Sequence, residues 1–196
     1  MSLVLMVVSC LGISISGCSI SENINAVKIG LYYGEGQAAL LKGDYKTAEA
    51  QFNQGLGLHK DADGQCIKSE LLASLGDVYA RQGRYPEAQT KLDAAIKAID
   101  STSTDPETPY AQACIATSLG ILYAKQKRNS ESMSQFDSAT SLFEKYFSSE
   151  PRARGSNKDK QAECLRQYAD LLTSMQQLDK AKELNAKAEK IQAGIY

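Results

Sequence analysis

The chain has 196 residues, room for one domain, and its 43% hydrophobic and 23% charged residues are the proportions of a folded protein rather than a disordered one. A nucleic-acid binder needs a basic excess to neutralise phosphates, and the formal net charge of −1 excludes that class. Trp is absent, while Ala, Leu, Gln, Lys and Glu, all good helix formers, are plentiful.

The N-terminus stands apart. Residues 3–15 are almost wholly apolar, and no charged side chain precedes Glu22. This run is too short for a membrane span of about 20 residues. It has the length of a signal-peptide h-region, roughly 7–15 residues. It ends in Ile15-Ser16-Gly17-Cys18. This tetrapeptide resembles the bacterial lipobox, in which small residues precede a cysteine that is lipidated and becomes the first residue of the mature chain. The resemblance implies a signal peptide over 1–17, lipidation of Cys18 and a membrane anchor. Ser19 stands where an Asp would retain such a lipoprotein at the inner membrane, so the outer membrane is favoured. One departure is the lack of Lys or Arg ahead of the apolar run. The alternatives are an uncleaved anchor or a buried apolar first helix, the latter leaving the protein cytoplasmic.

Residues 18–25 read as a short polar tether, and the periodicity after it predicts eight helices. They fall near 26–42, 45–59, 65–82, 85–100, 108–126, 130–148, 159–175 and 178–193. The links between pairs are rich in Ser, Thr, Asp, Gly and Pro. The helices fall into a repeat. Its clearest copy runs Leu75-Gly76-Asp77-Val78-Tyr79-Ala80-Arg81-Gln82-Gly83-Arg84-Tyr85-Pro86-Glu87-Ala88 and continues to Leu92 and Ala95. Gly76 allows two helix backbones to approach, and Tyr79 fills the space between them. Gly83 supplies the unusual backbone angles of the turn. Pro86 sits in a first helical turn, where its missing N–H does no harm. Ala88 is small at the crossing, and Leu92 continues its face.

The unit recurs as Gly36, Gly43, Ala48 and Phe52, and again as Gly120, Tyr123, Phe136 and Ala139. A degenerate fourth copy has Leu165, Ala169, Leu172 and Ala181. The periods are 40, 44 and 49 residues, longer than the common 34. Over residues 30–190 the pattern resembles the tetratricopeptide repeat, in a long-period form. The resemblance implies an all-α solenoid of about four antiparallel helix pairs over 26–196. It also implies a concave groove, lined by the first helix of each pair, that binds a protein or peptide.

By register with Leu-Gly-x-x-Tyr, the groove residues are Tyr33, Gln37, Glu70, Asp77, Arg81, Thr117, Lys125, Arg166 and Asp170. Their charges are mixed. Asp77 and Asp170 stand where the carboxylate-clamp class of these repeats wants Asn, which argues against that activity.

Chemistry-bearing patterns are few. Gly34-Glu35-Gly36-Gln37-Ala38-Ala39 has the spacing of a dinucleotide fingerprint, but that motif needs a strand before it and here it lies within a helix. His59, the single histidine, sits at a helix C-terminus, where a cation is favoured. Cys66, Cys114 and Cys164 each lie early in the first helix of a repeat. Free, buried thiols are the simplest reading, and Cys114–Cys164 is the pair whose registers best match for a disulfide. No constellation points to an enzyme, a cofactor, a metal or a small-molecule substrate. The expected function is a lipid-anchored adaptor facing the periplasm; the alternative is a cytoplasmic or membrane-anchored adaptor with an uncleaved N-terminus.

Overall fold

The computed structural model describes residues 20–59, 65–99, 105–150 and 155–194. Among them are eight helices and no strand: α1 (Ile20–Leu41), α2 (Tyr45–Leu58), α3 (Gln65–Arg81), α4 (Tyr85–Ala98), α5 (Thr108–Lys125), α6 (Asn129–Ser149), α7 (Gly155–Ser174) and α8 (Leu178–Gln192). The proposed signal peptide and Cys18 lie outside the described residues. The stretch expected to be a tether is helical from Ile20 onward. α7 likewise starts four residues before the expected 159.

Helices pair as α1/α2, α3/α4, α5/α6 and α7/α8. The pairs stack through α2/α3, α4/α5 and α6/α7, and through their first helices α1/α3, α3/α5 and α5/α7. The result is an all-α helical-repeat solenoid.

One turn closes all four pairs. The residues at its apex have positive φ: Gly43 (75°), Gly83 (76°), Lys127 (60°) and Gln176 (62°). The next N–H reaches back five residues, from Asp44 to Ala39, Arg84 to Tyr79, Arg128 to Tyr123 and Gln177 to Leu172, each at 2.9 Å. This is a Schellman closure, which satisfies the last carbonyls of the first helix. Only the first two copies place glycine there. In α2 the Asp44 carboxylate also accepts from the Thr47 N–H at 3.1 Å, a side-chain cap.

Packing within pairs also repeats. A Cβ on Gly36 would lie 2.5 Å from the Phe52 ring, one on Gly76 2.7 Å from Leu92, and one on Gly120 3.0 Å from the Phe136 ring. Phe52, Leu92 and Phe136 are fully buried, as are Ala48 and Ala88. Glycine therefore stands where a large side chain of the second helix lies flat on the first. Ala181 is buried at the equivalent crossing of the fourth pair. Tyr79 and Tyr123 sit at the turns. Arg84 stacks 4.1 Å over the Tyr79 ring and Arg128 4.2 Å over Tyr123. Each Arg also pairs with a Glu three residues on, Glu87 and Glu131. This doubled Arg-x-x-Glu brace is visible in the sequence once the Tyr positions are aligned.

Candidate binding surface on the concave side

The first helices converge on one side of the stack, and α3 is enclosed there. Every residue from Ser69 to Ala80 is buried, including Ser69, Glu70, Ser74 and Asp77. Neighbouring helices satisfy these polar groups in part. Gln37 Nε2 of α1 donates to Ser74 Oγ of α3 at 2.8 Å. Lys160 Nζ of α7 donates to Gln37 Oε1. Arg81 Nε donates to Asp77 Oδ1 at 2.6 Å, and an Arg81 guanidinium nitrogen lies 3.7 Å from Glu163 of α7. These bonds knit α1, α3 and α7 together across the concave side. What remains is a cavity of about 20 Å³, the space of a single water molecule. Ser74, Asp77, Cys114, Thr117, Lys160 and Glu163 line it.

The groove expected from register is therefore closed. Glu70 and Asp77 are buried rather than presented to a partner. Tyr33 packs its ring 6.1 Å from Phe52. Its hydroxyl is buried near Ser74 and Glu70 without a hydrogen bond of good geometry to either. Thr117 is half-buried and bonds the Ala113 carbonyl at 2.8 Å. Gln37, Glu70, Asp77, Arg81 and Thr117 do share the concave side. Arg166 bonds Gln192 of α8 and lies 3.9 Å from Glu163 of its own helix, while Lys125 and Asp170 are exposed. Register alone missed Ser74, Lys160 and Glu163. A signal for Glu163 existed: it stands six residues before Ala169, as Glu70 stands six before Gly76.

Burial pushes the Glu70 carboxyl up to about 8; the nearby Glu107 charge adds to this and Lys160 opposes it. Glu70 is thus neutral at pH 7, which removes the cost of a buried charge. The cysteines follow the same rule. The disulfide considered for Cys114 and Cys164 is not formed: both are free, buried thiols. Burial raises Cys114 far above the ordinary thiol range and Cys164 to about 12. Cys66 is half-buried, with Sγ 3.6 Å from Asp105 Oδ2, and is raised to about 11, mainly by desolvation and then by the Asp105 charge. A thiol held protonated is a poor nucleophile and a poor metal ligand. Among the described residues no group of three or more His, Cys, Asp or Glu is placed to hold a metal ion. Among them, too, no helix is long and apolar enough to cross a membrane.

What the arrangement offers is a concave lining whose polar groups hydrogen-bond one another across three helices. A scan against protein-family models and a search of curated proteins each return no match.

Proposed function

We propose that this chain is a lipid-tethered adaptor of the tetratricopeptide class that holds a protein or peptide partner in the bacterial cell envelope. The observation that carries the reading is the polar concave lining. A solenoid core needs only apolar contact between first helices, yet Gln37, Ser74, Asp77, Arg81, Lys160 and Glu163 meet there. Their side-chain bonds are of the kind an extended peptide backbone can replace. Lys160 and Glu163 hold the groove closed until the partner displaces them. The tether is supported by the apolar 3–15 run and by Ile15-Ser16-Gly17-Cys18. Two anchoring signals make lipid attachment stable, and the mature lipoprotein amino terminus supplies them.

The test is in-cell crosslinking with the full-length protein as bait. Wild type should enrich a discrete partner that the Arg81→Ala/Lys160→Ala variant loses. Equal recovery by both baits removes the concave side from the proposal. Cys18→Ala should leave the membrane fraction; an intact Met1 by mass spectrometry would favour the uncleaved-anchor alternative.

A further inference from the structure

α1 is apolar on two opposite faces. Ile29, Gly36, Ala39 and Leu40 are buried in the solenoid. On the far side Ile24, Val27, Leu31, Gly34, Ala38 and Leu41 are all exposed, Val27 at 73% and Leu41 at 71%. A helix that is apolar all round is ordinarily covered on both sides. The spacing of the exposed set is 3-4-3-4-3, the a/d seam of a heptad pattern.

Register shows what this face is for. Leu31 stands five residues before Gly36, as Leu71 stands before Gly76 and Ile115 before Gly120. Ala38 stands two after, as do Val78 and Leu122. In α3 and α5 those positions are buried, and Leu71 packs on Gly55 of α2, the second helix of the preceding pair. In α1 no described helix covers the same face. It is a helix-stacking surface, shaped for one helix.

We infer that a second copy of this chain covers it, with the two α1 helices antiparallel about a two-fold axis between Tyr32 and Tyr33. The seam is self-complementary in that register alone. Leu31 meets Gly34 of the second copy, Val27 meets Ala38, and Ile24 meets Leu41, so two of the three layers set a large side chain against a small one. Antiparallel pairing sets a against d, as this register does. The flanking exposed charges also match: Lys28 lies beside Glu35 of the second copy, twice by symmetry. A lipid surface fits less well, because an interfacial helix carries a broad apolar face bordered by Lys and Arg. This seam is narrow and its flanks bear both signs. The opposite end of the stack does not compete for the seam, since the outward side of α8 carries Lys182, Asn185 and Glu189.

Full-length protein, solubilised in detergent, should sediment as a concentration-dependent dimer. Leu31→Asp should weaken the dimer about a hundredfold or more, since symmetry places the change twice in one interface. Its monomer should melt like wild type, because Leu31 is 59% exposed. Asn185→Asp on α8 should leave the dimer intact. Co-expressed chains bearing Val27→Cys and Ala38→Cys should form a disulfide on oxidation, above the background of the native cysteines. Val27→Cys alone should not, because an antiparallel pair holds its two copies about 16 Å apart. A monomer at all concentrations, a Val27→Cys homodimer, or a dimer lost through α8 would each overturn the inference.

Discussion

At the C-terminal end of the stack, α8 buries Ala181, Ala188 and Ile191 and turns Lys182, Glu183, Asn185, Glu189 and Lys190 outward. At the N-terminal end, α1 buries a similar inner stripe but turns Ile24, Val27, Leu31 and Leu41 outward. Both helices flank a solenoid, and a solenoid needs polar faces at its ends to stay soluble. Only α8 has one. The contrast shows that a repeat position does not fix its own environment. Leu31 and Leu71 occupy the same register, yet Leu31 is 59% exposed and Leu71 fully buried. What differs is the presence of α2 in front of α3.

The sharpest way to break this comparison is to truncate both leucines. Leu71→Ala should cost about 3–5 kcal/mol, the range for a fully buried leucine. Leu31→Ala should change monomer stability by less than about 0.5 kcal/mol. Chemical denaturation below the dimer concentration measures both, and equal costs would mean that α1 is covered within the monomer.

A second prediction concerns the position six residues before the small residue, where α1 has Gly30 in the open and α3 has Glu70 buried. The Glu70 carboxyl titrates near 8 when folded, against about 4.3 in an unfolded chain. Between those values the folded state keeps a proton that the unfolded state releases, so stability falls as pH rises from about 4 to about 8 and levels off above. Glu70→Gln should remove that slope and be more stable than wild type at pH 8 by about 2–4 kcal/mol. Melting curves from pH 4 to 9 test it; an unchanged slope would place the titration elsewhere.

The smallest effect sharpens the contrast between the two halves of the chain. Lys127 and Gln176 hold the left-handed turn that Gly43 and Gly83 hold in the first two pairs. Lys127→Gly and Gln176→Gly should each stabilise by about 1 kcal/mol, and Gly83→Ala should cost about as much. Thermal melts distinguish the signs.

The helices and their pairing were legible because the repeat writes its own punctuation. Gly36, Gly76 and Gly120 mark close approach, and Gly43 and Gly83 mark turns. The fourth pair was harder to place, since Gln176 disguises its turn and Ala169 replaces the glycine. The candidate site was legible only in part. Sequence register placed Glu70 and Asp77 on the first-helix side, but whether that side is open depends on how far the stack curves. Curvature arises from small offsets accumulated over three interfaces, and no local pattern encodes it. Lys160 is hidden for that reason, whereas Glu163 shares the offset of Glu70 and is readable from register. The exposed seam of α1 went unseen because apolar spacing reads the same whether or not a neighbour covers it.

The Lys160–Gln37 bond joins residues 123 apart in sequence, whereas the helix pairs are tied by neighbours. Chains rich in local contacts fold fast, because little loop entropy must be lost before contacts form. Each pair can form early, and the bridge from α7 to α1 closes only after the intervening pairs have stacked. On this ordering, closure of the concave side is the final step of folding, and a partner of the kind proposed would meet the chain at the part of its structure completed last.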